Sequence, residues 1–319
     1  MASGDSAALR PGTSTGTRRT EAVVAVPVRH WGRYVSAAIV VGLLVALGIA
    51  LSKAKIQYAS IPKFLTSRVV LDGLRTTLVI SVTAQAVGIA LGVLFAVMRL
   101  SKNPVVSSVA WFYIWFFRGT PVLVQLVFWF NLALVFQTFT IPVPFTDLAI
   151  FSKPMNDFMT PFTAALLGLG LNEGAYMAEI VRAGIISVDE GQTEAAAALG
   201  MTSTQTMRRV VLPQAMRVII PPTGNEFINM LKTSSLAAVV LLGELFRAAQ
   251  NIYSSNLQTI ELLIVISIWY LVLTTIASII QYYIERRFSR GSSRDLPRTA
   301  LQRIAANVLS LRRPGGGDV

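Results

Sequence analysis

Residues 76–98 read TTLVISVTAQAVGIALGVLFAVM, a run without a single charge, held between Arg75 and Arg99. A helix rises 1.5 Å per residue and the hydrocarbon core is roughly 30 Å thick, so about 20 such residues cross a bilayer. Lipid offers the backbone no hydrogen-bond partner, so a run like this must be helical. The same reading finds other charge-poor runs. Tyr34 to Ser52 is the first span, Thr76 to Met98 the second, and the residues from the Arg118-Gly119-Thr120-Pro121 break to about Phe136 the third. Pro161–Arg182 makes a fourth, Val218–Leu242 a fifth and Leu262–Ile284 a sixth. Val105–Phe117, rich in aromatic residues that favour the headgroup level, reads as a helix near the cytoplasmic face leading into the third span. The expected fold is all-α, a polytopic membrane helical bundle with about six transmembrane helices.

Composition agrees. The 319 residues are 53% hydrophobic and 14% charged, against about 25% charged in an average soluble domain. A soluble chain this apolar would expose too much greasy surface. The net charge of +12 is concentrated at the ends: residues 1–33 sum to +3 and residues 285–319 to +5. Basic tails beside membrane spans are drawn to anionic lipid and retained inside the cell. They lack the interleaved aromatics of a nucleic-acid surface, so no nucleic-acid partner is expected. The tails, 1–33 and 288–319, are rich in Gly, Ser, Thr, Arg and Pro and are expected to be disordered. A signal peptide at Tyr34–Ser52 would need an unusually long lead, so an added N-terminal membrane helix over 34–54 is expected.

Cysteine is absent and His30 is the sole histidine. That excludes disulfides and thiolate chemistry, and leaves no donor set for a Ser–His–Asp site or a His-rich metal site. No catalytic residue, metal or cofactor is expected. Arginine placement orients the spans. Arg182, Arg208, Arg209 and Arg217 flank the connection between spans four and five, and eight Arg follow span six. The alternate loops carry only Lys153 and Arg247, which places both termini and residues 183–217 in the cytoplasm. The loop over 53–75, with five Lys and Arg, runs against this pattern.

Residues 186–213, ISVDEGQTEAAAALGMTSTQTMRRVVLP, are too structured for an ordinary loop between spans. Glu194–Leu199 is a run of strong helix formers. Gly200 stands where a left-handed C-terminal cap is wanted. Thr202, with Gln205 three residues on, starts a second helix with a capping box. Pro213 marks its end or a kink before the next span. The alanines leave one face flat, suited to close approach by another protein.

This pattern, Glu194-Ala195-Ala196, then Gly200, Val210 and Leu212-Pro213, resembles the EAA loop of importer-type ATP-binding-cassette permeases. Val210 stands where that family more often has Ile. FRGTPVLVQL (117–126), AYMAEIVRAGI (175–185), SVDEGQTEAA (187–196) and LPQAMRVIIPPTGNEFINMLKTSSLA (212–237) resemble its polar amino acid branch, and the likeness covers roughly residues 70–287. It implies a type I importer permease with five core spans plus an added helix, sitting in a bacterial cell membrane. It also implies partners: a dimer of separate ATPase subunits, a second permease that is a copy or a paralogue, and an extracytoplasmic amino-acid-binding protein. The chain has no phosphate loop, because no Lys follows a Gly. On this resemblance Gly191, Glu194, Ala195, Ala196, Gly200, Leu212 and Pro213 couple to the ATPase. Glu194 can equally cap its own helix through the dipole.

Charges at membrane depth cost a few kcal/mol, so they face cavities or partners. Glu179 and Arg182 are three residues apart and read as a structural pair. Asn172, Glu173 and Tyr176 are expected to line the substrate pathway, with inter-helix packing as the alternative. Lys232, Ser234 and Ser235 match the family's Lys-x-[ST]-Ser stretch and on that resemblance are also expected on the substrate pathway, against a reading as helix–helix hydrogen bonds. An ion-coupled secondary transporter and a membrane scaffold are the rival functions.

Overall fold

The computed structural model describes residues 31–142, 144 and 148–288. It divides into two units between Lys55 and Ile56. The first contributes one helix, α1 (Trp31–Ser52), of which Tyr34–Ser52 is apolar enough to cross a membrane. The expected tails lie outside the described residues, except that Trp31–Arg33 open α1 and Phe288 closes the last helix.

The second unit is built around two helices, α3 (Arg68–Arg99) and α7 (Pro161–Ile186), which run in the same direction in close contact. A short helix, α2 (Ile61–Leu65), precedes α3. Glycines let the pair approach. At Gly92, an added Cβ would lie 2.9 Å from the carbonyl carbon of Met177 and 3.1 Å from the nitrogen of Ala178. At Gly88 it would strike the side chain of Glu173.

Helix α4 (Pro104–Gly119) returns antiparallel to α7, burying Ala110, Tyr113 and Ile114. Tyr113 stacks on Phe95 at 3.7 Å and donates its hydroxyl to the Leu171 carbonyl at 2.7 Å. α4 thus packs against both α3 and α7 as it leads into the next helix. Pro121 then forces the preceding residue out of the helical region, and Thr120 sits at φ −108°, ψ 140°. The chain bends by 100° into α5 (Val122–Phe130), nine residues long and too short to span alone. Where a third span is expected, α4 and α5 are apolar and long enough only together, as a bent pair that is either a broken span or a re-entrant loop. Beyond α5 a two-stranded antiparallel hairpin follows, β1 (Thr138–Pro142) with β2 (Ala149–Pro154), in register Thr138↔Pro154. It is an addition to the expected helices, and packs through Phe139 on Phe158 of α6 (Met155–Phe158) at 4.5 Å.

After α7 come α8 (Glu190–Ala198), α9 (Ser203–Thr206), one π turn (Met207–Val211) and α10 (Leu212–Thr233). Pro213 neither ends nor stops this helix. Its missing N–H and its ring are incompatible with an ordinary turn onto Arg209, and the turn widens instead. The expected fifth span over Val218–Leu242 leaves α-geometry at Thr233, continues as a 3₁₀ turn (Ser234–Val240), and reverses at Leu241, φ 63°. Two more helices follow, α11 (Leu245–Asn256) and α12 (Thr259–Phe288).

Among the described residues three helices are apolar enough to cross a membrane, or five spans if each bent pair counts as one. α7 is not among them, yet its 26 residues reach about 39 Å. It is the central helix, with α3, α4, α5 and α10 against it, so it carries Gly, Ala and Glu173 where a lipid-facing helix carries Leu and Ile. One core cluster joins Ile80, Leu126, Leu169, Met230 and Val240, from α3, α5, α7, α10 and the 3₁₀ turn, and another joins Val70, Leu245, Leu262 and Val265.

Candidate functional site

The connection between α7 and α10 is a compact elbow. Asp189 opens α8 by accepting from the Gly191 N–H at 2.8 Å. The far end of α8 closes with two paired bonds, Gly200 N–H to Ala197 O at 2.9 Å and Met201 N–H to Ala196 O at 3.1 Å. This is a Schellman cap, and it places Gly200 at φ 77°, a conformation that favours glycine. Thr202 and Gln205 then form the expected capping box: Thr202 N–H donates to Gln205 Oε1 at 2.9 Å, and Gln205 N–H to Thr202 Oγ1 at 3.3 Å. Gln214 Nε2 ties the elbow together by donating to Val210 O at 3.0 Å and to Gln192 Oε1 at 3.4 Å.

Ala196 is the buried residue of α8 and seats it. Gly191, Glu194, Ala195, Gly200, Leu212 and Pro213 are exposed, and Leu199 is 82% exposed. The elbow therefore presents a small-residue face with an acidic centre and one apolar tip, backed by a rigid, fully capped frame.

At membrane depth, the structure separates the residues that sequence spacing grouped. Asn172 and Tyr176, one turn apart, face the bent pair. Asn172 Nδ2 donates to Phe117 O at 2.7 Å, and the Arg118 guanidinium lies 5.1 Å from the centre of the Tyr176 ring. Gln125 Nε2 meets the same Phe117 carbonyl at 3.0 Å, so two amides satisfy the acceptor that the break would leave open. Glu173, one position round, faces α3 instead. It is 5% exposed and accepts from Gln85 Nε2 at 3.0 Å.

Lys232 is exposed at the end of α10. Ser234 and Ser235 turn back on their own chain, donating to Leu231 O at 2.8 Å and Lys232 O at 2.7 Å. These three do not join Glu173. Glu179 pairs with Arg182 at 2.7 Å, as the spacing predicts.

Sequence reasoning missed Glu244 and Gln85. Glu244 is fully buried and caps α11, accepting from Phe246 N–H at 2.8 Å, Arg247 N–H at 2.7 Å and the Tyr270 hydroxyl at 3.1 Å. The adjacent Leu245 N–H donates to Thr77 Oγ1 at 3.0 Å. A Gly-Glu step ahead of an amphipathic run was the available signal. Among the described residues no group of three or more His, Cys, Asp or Glu is placed to hold a metal.

Residues 88–290 match the family described as binding-protein-dependent transport system inner membrane component. That span holds α7, the elbow and the long helix beyond it. The chain belongs to this family. As a member it is the membrane-spanning permease of its transport system and is not itself an enzyme. The arginine transport system permease protein ArgU of Corynebacterium glutamicum is 44% identical over 299 residues, 93% of each chain. The glutamine transport system permease protein GlnP of Escherichia coli is 36% identical over 217 residues, covering 68% of this chain and 91% of that protein. Among solved structures, the crystal structure of an amino acid ABC transporter with histidines aligns with a TM-score of 0.62 at 36% identity, over 73% of this chain and all of that one.

Proposed function

We propose that the elbow of α8, Gly200 and α9 is the handle by which a cytoplasmic ATPase works this permease, and that the cargo passes along α7 at the depth of Glu173. The protein is the permease subunit of an amino acid ABC importer. Its cargo is a polar amino acid, and ATP is hydrolysed by a separate subunit.

The observation that carries the docking role is the elbow's construction. Its helix ends are capped internally, while Gly191, Glu194, Ala195, Leu199 and Gly200 are left exposed. A surface stiff before binding loses little entropy when gripped. Ala195 and Gly200 allow close approach, Glu194 supplies a charge, Ala196 seats α8, and Leu212 and Pro213 join the elbow to α10. In this reading the elbow and both termini are cytoplasmic. Two permeases, this chain with a copy or a paralogue, sit over two ATPase subunits, and an extracytoplasmic protein delivers the amino acid from the other side. Nucleotide-driven closure moves the elbows and switches the bundle between two states.

Of the residues assigned to the pathway, Glu173 is buried against α3, where it accepts from Gln85 Nε2 at 3.0 Å. Asn172 and Tyr176 hold the bent pair beside it, and Lys232, Ser234 and Ser235 shape the end of α10.

The test is co-purification of the tagged full-length permease with its ATPase. Glu194→Arg and Gly200→Val each lower the recovered ATPase about tenfold or more, as truncating a central contact does. Glu194→Arg leaves the melting midpoint in detergent unchanged, because the side chain it replaces is exposed. Undiminished recovery with both variants overturns the docking role.

A further inference from the structure

The π turn (Met207–Val211) does more than make room for Pro213. Its ladder runs i→i+5 and holds one residue more than an α turn, so whatever precedes it is rotated by about 100° relative to α10. In an unbroken α-helix Arg208, nine residues before Arg217, would point about 180° away from it, and Arg209 about 80° away. With the extra residue Arg209 comes to within about 20° of Arg217, and Arg208 to within about 80°. Burial follows the same phase. Thr206, Val211, Ala215 and Ile219 are buried. Only the rotated ladder keeps Thr206 on that inward stripe, since a continuous helix would set it within about 20° of Arg217.

Three arginines thus share one side of this helix, and all three are exposed. Among the described residues the ion pairs are Arg68–Asp72 and Arg182–Glu179, so none of the three is neutralised in that way. Like charges gathered on one face repel, and an anion placed among them relieves the repulsion. α12 brings a fourth. It runs antiparallel to α10, for Gln281 Nε2 meets Pro221 O at 3.1 Å while Leu273 clusters with Leu231. Arg217 stands about 6 Å before Pro221 and Arg287 about 9 Å beyond Gln281, toward the same end of the pair. Arg287 is exposed in the last turn of α12, and the nearby Glu285 accepts from Gln281 at 2.7 Å.

The neighbours of these arginines decide the kind of anion. Met207, Leu212 and Val218 are exposed beside them, and Arg217 leads directly into the apolar run Val218-Ile219-Ile220. Guanidinium forks suit phosphate, and the apolar side chains suit what hangs from a lipid phosphate. The exposed face of α8 is small and acidic at Glu194, so the arginines form a separate surface.

We propose that Arg208, Arg209 and Arg217 bind the phosphate of an anionic phospholipid, with Arg287 at the rim, and that this lipid braces α10 where it leaves the elbow. The site goes beyond the docking role and does not depend on it.

Lipid binding to the full-length permease, purified in detergent without its ATPase, decides the matter. The probes are phosphatidylglycerol and phosphatidylcholine, titrated into the micelles and read both as bound lipid by native mass spectrometry and as the melting midpoint. Phosphatidylglycerol binds and raises the midpoint, as a ligand of the folded state does. Phosphatidylcholine, whose headgroup has no net charge, does neither. Arg208→Gln, Arg209→Gln and Arg217→Gln each weaken phosphatidylglycerol about fivefold, and together about a hundredfold. Arg68→Gln, at the far end of the bundle, weakens nothing. The single variants serve even if the triple variant does not fold. Equal binding of the two lipids, unchanged phosphatidylglycerol binding in the arginine variants, or the same loss in Arg68→Gln overturns the proposal. Inorganic phosphate that matches the lipid at equal concentration also overturns it, by making the site one for free anions. Intact lipid binding in a triple variant that no longer recovers the ATPase overturns it too, and assigns the arginines to that partner.

Discussion

Gly92→Val abolishes a folded permease, or lowers its melting midpoint in detergent by about 10 °C or more, a drop that corresponds to about 3 kcal/mol in a chain of this size. The branched side chain must enter a space where the first added carbon already lies 2.9 Å from the Met177 carbonyl carbon and 3.1 Å from the Ala178 nitrogen. A flexible side chain could swing aside, but helix backbone cannot. α3 and α7 would have to separate, and the core cluster between them, from Ile80 to Leu169, would open with them. Gly48→Val in α1 is the matched control. No atom lies within 4 Å of a Cβ added at Gly48, so the midpoint stays where it was. Fluorescence-detected gel filtration after stepwise heating measures both. An unshifted Gly92→Val peak would mean that the two helices are not in contact there.

Glu244→Leu is the second large effect. The leucine fills a similar volume but accepts nothing, leaving Phe246 N–H, Arg247 N–H and the Tyr270 hydroxyl without partners inside the bundle. Each buried orphan costs about 1–3 kcal/mol, so a loss of about 3–5 kcal/mol is expected once the helix relaxes. Glu244→Gln retains one acceptor oxygen and falls between the wild type and Glu244→Leu. The same heating assay gives the order. Equal midpoints for Gln and Leu would show that the three hydrogen bonds do not hold α11.

The elbow was legible in the sequence because its signals are local. A helix-forming run, a glycine at the left-handed position and a Thr-x-x-Gln pair act within a few residues, and each is found where the spacing put it. The membrane bundle was legible for a similar reason, since a lipid-facing helix advertises itself by composition. The central helix does not, because α7 meets protein on its sides and is written in Gly and Ala. Asn172, Glu173 and Tyr176 show where local reading stops. Helical phase sets Asn172 and Tyr176 on one stripe and Glu173 off it. Which neighbour each stripe meets is decided by α3 and by the break at Thr120, both remote in sequence. Glu244 was hidden for the same cause, as its partner Tyr270 and its neighbour's partner Thr77 sit 26 and 168 residues away along the chain. The hairpin carries no long apolar run to mark it, because Thr138–Pro142 alternates polar with apolar residues.

The widened turn ahead of Pro213 keeps one continuous rod from Ser203 to Val240, about 57 Å from end to end. Inside it, Pro221 and Pro222 bring no N–H to the helix ladder, and a helix yields where that ladder is interrupted. Under the proposed docking role, a push on the Ser203 end passes those two prolines before it arrives at Leu241, where the backbone turns left-handed. How firmly the helix holds at the prolines then decides how much of the movement reaches the bilayer's interior.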